Sequence, residues 1–224
     1  MRRTTLIVPA VAVLAVGAIF ASNMGFKINY RLAQPGEAVP GGTSLNGTNT
    51  IGLPYNPQTG ITTAQALFDD IGSASVQNIS KFLQSSNGYQ IYSLGGTDYS
   101  LNPGEGYLVR MKTGAGTDYI IVGSHDPSAS ISLPGTGQTV PGGSSASGQN
   151  FFAPPYHATA INAQQLADDI GSTDVQNIAQ FQESSNGFVI FTPGGASPFS
   201  VVPGEAYIVR IKSGITKNYT PSHY

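Results

Sequence analysis

Two adjacent acid pairs, Asp69-Asp70 and Asp168-Asp169, are the first residues in this sequence that could do chemistry. Facing carboxylates can act as general acid and base or bind a divalent cation. Neighbours on a helix point about 100° apart, however, so the members of one pair cannot face each other. Near a helix C-terminus they also oppose the helix dipole, at a cost of about 0.3–1 kcal/mol. We expect an ion pair with Arg110 or Arg210, or hydrogen bonds to the next strand, to offset that cost; a cation site is the alternative.

Glutamate and arginine recur five residues apart in "PGEGYLVR" and "PGEAYIVR". Glu105 with Arg110, and Glu205 with Arg210, could line a polar cleft. In a sheet, such residues more often form a structural ion pair. We therefore predict a structural pair in each copy, with a binding cleft as the alternative.

Tyrosines and histidines supply the remaining candidate ligands. Tyrosine rings can stack on sugars, although on strands they more often pack half-buried; the candidates are Tyr55, Tyr92, Tyr156 and Tyr207. His157 and His223 each stand beside a tyrosine and near proline, in "PPYH" and "PSHY". Two imidazoles could begin a zinc or copper site, but no third ligand is evident. We predict no metal and no cofactor, and that the histidines cap edge strands.

Motifs of common enzymes do not occur in the chain. There is no G-x-S-x-G, H-E-x-x-H, G-x-x-x-x-G-K or G-x-G-x-x-G segment, and there is no cysteine. Charged residues make up 10% of the chain and the formal net charge is −2. No cluster of Lys and Arg follows the first three residues, so the sequence predicts neither an enzyme nor a nucleic-acid-binding protein.

The N-terminus has the pattern of a secretory signal peptide. Arg2 and Arg3 precede an apolar run at residues 6–20, and small residues follow at Ala21 and Ser22. The run is too short for a membrane span of about 20 residues. We predict cleavage after Ala21 or a neighbouring residue, no membrane span in the mature protein, and a periplasmic, cell-surface or extracellular location. An uncleaved anchor is the alternative.

Most of the remaining sequence occurs twice, about a hundred residues apart. "LPYNPQTGITTAQALFDDIG" returns as "PPYHATAINAQQLADDIG", "VQNISKFLQSSNGYQIY" as "VQNIAQFQESSNGFVIF", and "NPGEGYLVRMKTG" as "VPGEAYIVRIKSG". Two units are too few for a solenoid. The duplication therefore predicts tandem domains at residues 22–125 and 126–224, after a signal peptide at residues 1–21.

The elements that must position these residues can be read from one unit. Residues 26–32 alternate at period two, which is typical of a half-buried strand. Thr62 or Thr63 can cap a short helix that ends at Gly72, and Asn87-Gly88 suits a tight hairpin turn. "GYLVRMK" is predicted to be a central strand. The fold class is therefore α+β, mostly antiparallel β, with about six strands and one short helix in each repeat.

The pattern resembles a small β-rich domain of exported and cell-surface proteins in bacteria and archaea. Its usual form reads W-N-L-I-G-L-P, then T-T-A and a short helix, then a W-rich hairpin, then P-G-x-G-Y-W-V and a closing strand that ends in V-x-G. The first unit matches at residues 51–54, 62–64, 89–92, 103–109 and 122–123, and the second matches more loosely. Tryptophan, frequent in the pattern, is absent. The chain is also similar to uncharacterised exported bacterial proteins, and the resemblance implies location and architecture only.

Together these patterns favour a non-catalytic extracytoplasmic protein with an envelope-structural or adhesive role. A carbohydrate-binding module is the first alternative, and a hydrolase without a recognisable motif is the second. Envelope components or glycans are the expected partners. Residues 26–32 are expected to complete the first domain, and their donation to a second copy, which would cause self-association, is the alternative.

Overall fold

The computed structural model describes residues 25–57, 60–124, 126, 128–156 and 158–222. Over this part the chain is mostly antiparallel β structure with two short helices, as expected for an α+β protein. The predicted signal peptide, His157 and His223 lie outside the described residues. We refer to residues 25–124 as the first half and to residues 128–222 as the second half.

The first half contains nine strands and helix α1. The elements are β1 (Gly25–Leu32), β2 (Ala38–Val39), β3 (Gly42–Thr43), β4 (Thr48–Gly52), β5 (Asn56–Pro57), α1 (Ala64–Ile71), β6 (Val76–Leu83), β7 (Gly88–Tyr92), β8 (Gly106–Met111) and β9 (Thr117–Ser124). A four-stranded sheet has the order β4-β8-β6-β7, and a second sheet has the order β1-β9-β5. The expected central strand is β8, which lies between β4 and β6.

The second half contains eight strands and helix α2. The elements are β10 (Ile131–Pro134), β11 (Thr139–Val140), β12 (Gly143–Ser144), β13 (Gln149–Phe152), α2 (Ala163–Ile170), β14 (Val175–Gln182), β15 (Gly187–Phe191), β16 (Tyr207–Ile211) and β17 (Thr216–Tyr219). Its four-stranded sheet has the order β13-β16-β14-β15, and β10 pairs with β17. The two-residue strands beside each "VPGG" turn were not predicted, because a pair that short has no readable periodicity.

Each helix is eight residues long and is capped by side chains of its own half. The Ala66 amide donates to the Thr63 hydroxyl at 3.1 Å, and the Gln165 amide donates to Asn162 Oδ1 at 2.9 Å. Gly72 ends α1 with a φ of 121°, a conformation that side chains rarely adopt. The predicted N-cap and C-terminal glycine of α1 are therefore confirmed. Leu67 and Phe68 of α1 are buried against the four-stranded sheet.

The N-terminal strand β1 is paired within its own half. It lies antiparallel to β9 along its whole length, from Gly25 opposite Ser124 to Leu32 opposite Thr117. This confirms the expectation that residues 26–32 complete the first half. The corresponding strand β10 pairs with β17 in the second half.

The two halves contact each other through backbone and side chains. Faces of the two four-stranded sheets meet in an apolar cluster of Phe82 and Leu108 with Phe151, Ala179, Ala206 and Ile208. The Gly52 amide donates to the Gly204 carbonyl at 2.8 Å, and the Ala153 amide donates to the Gly104 carbonyl at 2.9 Å. These four residues lie at matching positions of the two halves, so the same contact is made twice. No helix in the described part of the chain is both long and apolar enough to cross a bilayer.

Candidate functional site

The second acid of each pair is bound to a tyrosine on the last strand of its half. The Tyr119 hydroxyl donates to Asp70 Oδ2 at 2.8 Å, and the Tyr219 hydroxyl donates to Asp169 Oδ2 at 2.6 Å. Burial, followed by the bond to the carboxylate, raises the pKa of both tyrosines. Hydrogen bonds thus offset the charge as expected, but the expected partner strand is wrong, because the donors lie on β9 and β17 and not on the strand that follows each helix.

The expected ion pairs of these acids with Arg110 and Arg210 are wrong. Arg110 Nε donates to the Asn46 carbonyl at 3.1 Å, and Arg210 Nε donates to the Ser147 carbonyl at 2.9 Å. Each arginine therefore holds the loop before a strand of its own sheet. Among the described residues there is also no group of three or more His, Asp or Glu side chains that could hold a metal ion.

The expected pairs of Glu105 with Arg110, and of Glu205 with Arg210, are wrong as well. Glu105 Oε2 lies 2.8 Å from Lys81 Nζ and accepts a bond from the Tyr107 hydroxyl at 2.6 Å. Glu205 accepts from the Tyr207 hydroxyl at 2.9 Å and from Gln180 Nε2 at 3.2 Å. Successive side chains of a strand point to opposite faces of the sheet. Residues 105 and 110 are five positions apart, so their side chains point to opposite faces.

The candidate tyrosines have different surroundings. Tyr207 is fully buried, stacks on Phe199 at 5.9 Å and presents no ring face to a ligand. Tyr92 is also buried and contacts Phe68 edge-on. Tyr156 is partly exposed and stacks on Phe26 with ring centroids 4.5 Å apart, whereas the hydroxyl of partly exposed Tyr55 donates to the Ala153 carbonyl at 3.0 Å. The structure does not bring Tyr55, Tyr156 and Tyr207 into one stacking platform.

Two buried asparagines at matching positions were missed by sequence reasoning. Asn49 Nδ2 donates to the carbonyls of Ala33, Gly47 and Val109, and its Oδ1 accepts from the Ala33 amide. Asn150 Nδ2 donates to three corresponding carbonyls. Pro134 stands where the first half has Ala33 and has no N–H to donate. Asn150 Oδ1 instead accepts from Gln84 Nε2 at 2.6 Å, which joins the halves.

Glu183 is the counterpart of Gln84 in the second half. Its backbone carbonyl accepts from the Leu45 amide of the first half at 2.9 Å. Burial, together with the charges of Glu205 and Glu37, raises the pKa of the Glu183 carboxyl from 4.5 to about 7. The contact between the halves therefore contains a group that titrates near neutral pH.

Two outermost strands, β7 and β15, carry exposed apolar side chains. Ile91 on β7 is 57% exposed and Ile190 on β15 is 64% exposed. Tyr89, Phe188 and Val189 are exposed beside them. Neither strand contains a charged residue or proline, and no strand of the described residues pairs with the outer side of either one. The main-chain N–H and C=O groups on these sides can pair with a further strand.

Comparison with known proteins adds no relative. Searches against family models, curated proteins and solved structures found no match for the chain.

Proposed function

We propose that the chain is an exported, non-catalytic protein of two tandem repeat domains with a structural or adhesive role at the cell envelope. The domains would be residues 22–125 and 126–224, after a signal peptide at residues 1–21. Support for the location comes from the N-terminal pattern and from the resemblance to a domain type of exported proteins. Support for the duplication comes from the same strand order in both four-stranded sheets.

The observation that carries a structural role is the pair of unprotected edge strands. Natural proteins usually protect sheet edges with lysine, proline or a bulge. The five residues of β7 and the five of β15 show none of these protections. An edge strand that has apolar side chains and unpaired main-chain N–H and C=O groups is a template for the addition of a further strand.

A second copy of the chain is the partner that fits these edges. Both edges are uncharged, so copies can approach without repulsion between like charges. Each molecule has two such edges, and two sites per molecule allow a linear assembly to grow if the contacts do not close. This route differs from donation of the N-terminal strand, because β1 is already paired with β9.

The structural roles of the polar residues also support a non-catalytic protein. Asp70, Asp169, Glu105 and Glu205 each bind a tyrosine hydroxyl that lies inside the fold. Tyrosines are raised in pKa by burial in all four cases. Perturbed titration is common at catalytic sites, but structural networks produce it as well.

Multi-angle light scattering over a range of protein concentrations tests the proposal. We expect the wild type to form multimers and the Ile91→Lys/Ile190→Lys variant to remain monomeric, because charge on an edge opposes strand pairing. Ile161→Lys is the matched control, since Ile161 is 66% exposed and lies outside the strands. A monomeric wild type, or multimers that persist in the double variant, would refute assembly through these edges.

A further inference from the structure

A cleft of about 690 Å³ lies between the two halves. One wall is formed by the end of β6 and residues 102–106 of the first half, and the other is formed by residues 128–134 and β13 of the second half. The volume lies within the range of small-molecule sites, about 300–1,000 Å³. Edge strand β7 pairs with Lys81, Phe82 and Leu83 of the cleft wall, but no residue of β7 or β15 lines the cleft itself.

The cleft exists because the two halves differ at matching positions of β1 and the segment that leads into β10. In the first half, Ile28 and Tyr30 pack onto Gly204, and the Tyr30 hydroxyl lies 2.7 Å from the Gly52 carbonyl and 2.8 Å from the Gly204 carbonyl. The second half has Ala129 and Ile131 at these positions. The smaller side chains leave space that Ile28 and Tyr30 fill in the first half.

Tyr55 occupies only part of the space. Its ring packs against Gly104, the counterpart of Gly204, and its hydroxyl donates to the Ala153 carbonyl, the counterpart of Gly52. A tyrosine hydroxyl thus binds the carbonyl at the matching position of each half, Gly52 or Ala153. Tyr30 lies on β1, whereas Tyr55 lies in the loop after β4. The volume in front of the β10 segment stays open and is lined by residues of both halves.

The polar lining is rich in hydrogen-bonding groups, and its charged side chains are Lys81, Glu105 and Asp126. Lys81 and Glu105 form an ion pair at 2.8 Å, and Asn102 Nδ2 donates to Glu105 Oε1 at 2.8 Å. The lysine ammonium has three donors, of which this ion pair uses one. Ser130 and Ser132 line the opposite wall and are exposed. Amide, hydroxyl, carboxylate and ammonium groups therefore converge on one space.

Apolar surface lies beside these polar groups. Phe82, Val140 and Phe151 line the cleft and are largely buried, with 8%, 7% and 7% of their surfaces exposed. The small exposed part of each side chain lines the same cleft as the polar side chains. A ligand for this cleft must combine several hydroxyl groups with apolar C–H surface.

We propose that the cleft binds a neutral oligosaccharide. Sugar hydroxyls both donate and accept, which matches the mixed lining, and C–H groups of a pyranose can contact the small exposed parts of Phe82 and Phe151. The lining carries one positive side chain, Lys81, and two negative ones, Glu105 and Asp126, so it offers polar contacts without the excess of positive charge that an anionic ligand needs. The proposal goes beyond the envelope role, since sugar binding and self-association are separate properties.

Binding to a defined panel of sugars tests the proposal. The neutral probes are maltotriose, cellotriose, chitotriose and mannotriose, and the anionic probes are trigalacturonate and a heparin tetrasaccharide. Isothermal titration of the purified full chain should give a dissociation constant below about 1 mM for at least one neutral probe. No anionic probe should bind more tightly.

Two variants place the bound sugar in the cleft. Ser130→Trp adds bulk at an exposed position of the lining and should weaken binding at least about tenfold. Asn29→Trp is the matched control, because Asn29 is the exposed counterpart of Ser130 on β1 and does not line the cleft. Lys81→Gln introduces the residue found at the corresponding position 180 and should weaken binding while the fold is retained.

Three outcomes would overturn the proposal. They are no binding of any neutral probe below about 1 mM, stronger binding of an anionic probe, and equal binding by Ser130→Trp and Asn29→Trp. Near-ultraviolet circular dichroism of each variant separates loss of binding from loss of folding. Light scattering of the same samples reports on self-association, so failure of sugar binding is distinguishable from failure of assembly.

Discussion

At the scale of residues, Asp70 and Asp169 stabilise the ends of the two helices by accepting bonds from tyrosines. Asp169 additionally accepts from the Ser222 amide at 3.2 Å and from its hydroxyl. We expect Asp70→Asn and Asp169→Asn each to lower the free energy of unfolding by about 1 kcal/mol, because a charged acceptor is replaced by a neutral one. Chemical denaturation at pH 7 measures this change.

The first acids of the pairs provide the control for this prediction. Asp69 is exposed at the end of the helix, so Asp69→Asn should leave stability nearly unchanged. Sugar binding and self-association should be the same in all three variants. A rise of several degrees in the wild-type melting temperature with calcium, absent from Asp70→Asn and Asp169→Asn, would instead identify a cation site.

Glu183 makes the contact between the halves sensitive to pH. Its folded-state pKa of about 7 exceeds the ordinary value of 4.5, so the folded state favours the protonated acid. The destabilisation is absent well below pH 4.5, grows between pH 4.5 and about 7, and is complete above that range. Glu183→Gln should therefore raise stability by about 1 kcal/mol at pH 8, after allowance for partial solvent exposure, and by much less at pH 5.

Thermal unfolding of wild type and variant at both pH values provides the measurement. Gln84→Glu places a carboxyl at the matching position of the first half. This variant should lower stability at pH 8, because it also removes the amide donor to Asn150. An equal gain for Glu183→Gln at pH 5 and pH 8 would show that the carboxyl does not titrate in this range.

Polar partners were the least predictable residues. The sequence indicated that the acid pairs are structural, since both copies carry them, but it did not indicate which groups donate to them. Tyr119 lies 49 residues from Asp70, and such a separation leaves no local pattern. Asn49 and Asn150 lie in β4 and β13, and a single asparagine in such a segment gives no signal that it will bind three carbonyls.

At the scale of elements, β4 and β13 approach each other closely because Gly52 has no side chain. A methyl group added to Gly52 would overlap the methyl group of Ala153. Gly52→Ala should lower the free energy of unfolding by about 1–3 kcal/mol, because the two strands cannot both keep their positions. Equilibrium unfolding in urea measures the loss.

An exchange of the two residues is the control. Gly52→Ala/Ala153→Gly restores one methyl group between the strands, so most of the lost stability should return. Ala153→Gly alone should cost less than Gly52→Ala alone, since it removes a contact without creating an overlap. If the double variant were as unstable as the sum of the single variants, the two positions would not contact each other.

The elements themselves were largely predictable from local signals. Thr63 caps α1 as predicted, and the hairpin of β6 and β7 forms where the "NG" dipeptide indicated. The turn is longer than predicted, because residues 84–87 connect the strands and only Asn87 has a positive φ, of 55°, whereas Gly88 begins β7. The packing of β4 beside β13 was not predictable. Repeats that contact each other and repeats that fold independently have the same periodicity of apolar residues in their sequences. Gly52 ends β4, and only the fold, which places Ala153 against it, shows why no side chain fits there.

At the scale of the molecule, the two sheets bury one face against each other and leave β7 and β15 at their outer edges. The interface between halves protects apolar surface, whereas the edges remain open. This arrangement leads us to place self-association at β7 and β15 and sugar binding at the cleft between the halves. The two properties can then operate together in a protein that links sugars at a surface.

Site-directed cross-linking tests the central claim, assembly through the edge strands, most directly. The chain contains no cysteine, so cysteines introduced at positions 91 and 190 are the only thiols. With a short bis-maleimide reagent, the Ile91→Cys/Ile190→Cys variant should give a ladder of covalent multimers, while the exposed control Ile161→Cys should stay monomeric. A double variant that remains as monomeric as the control, at a concentration where light scattering detects multimers, would contradict the account.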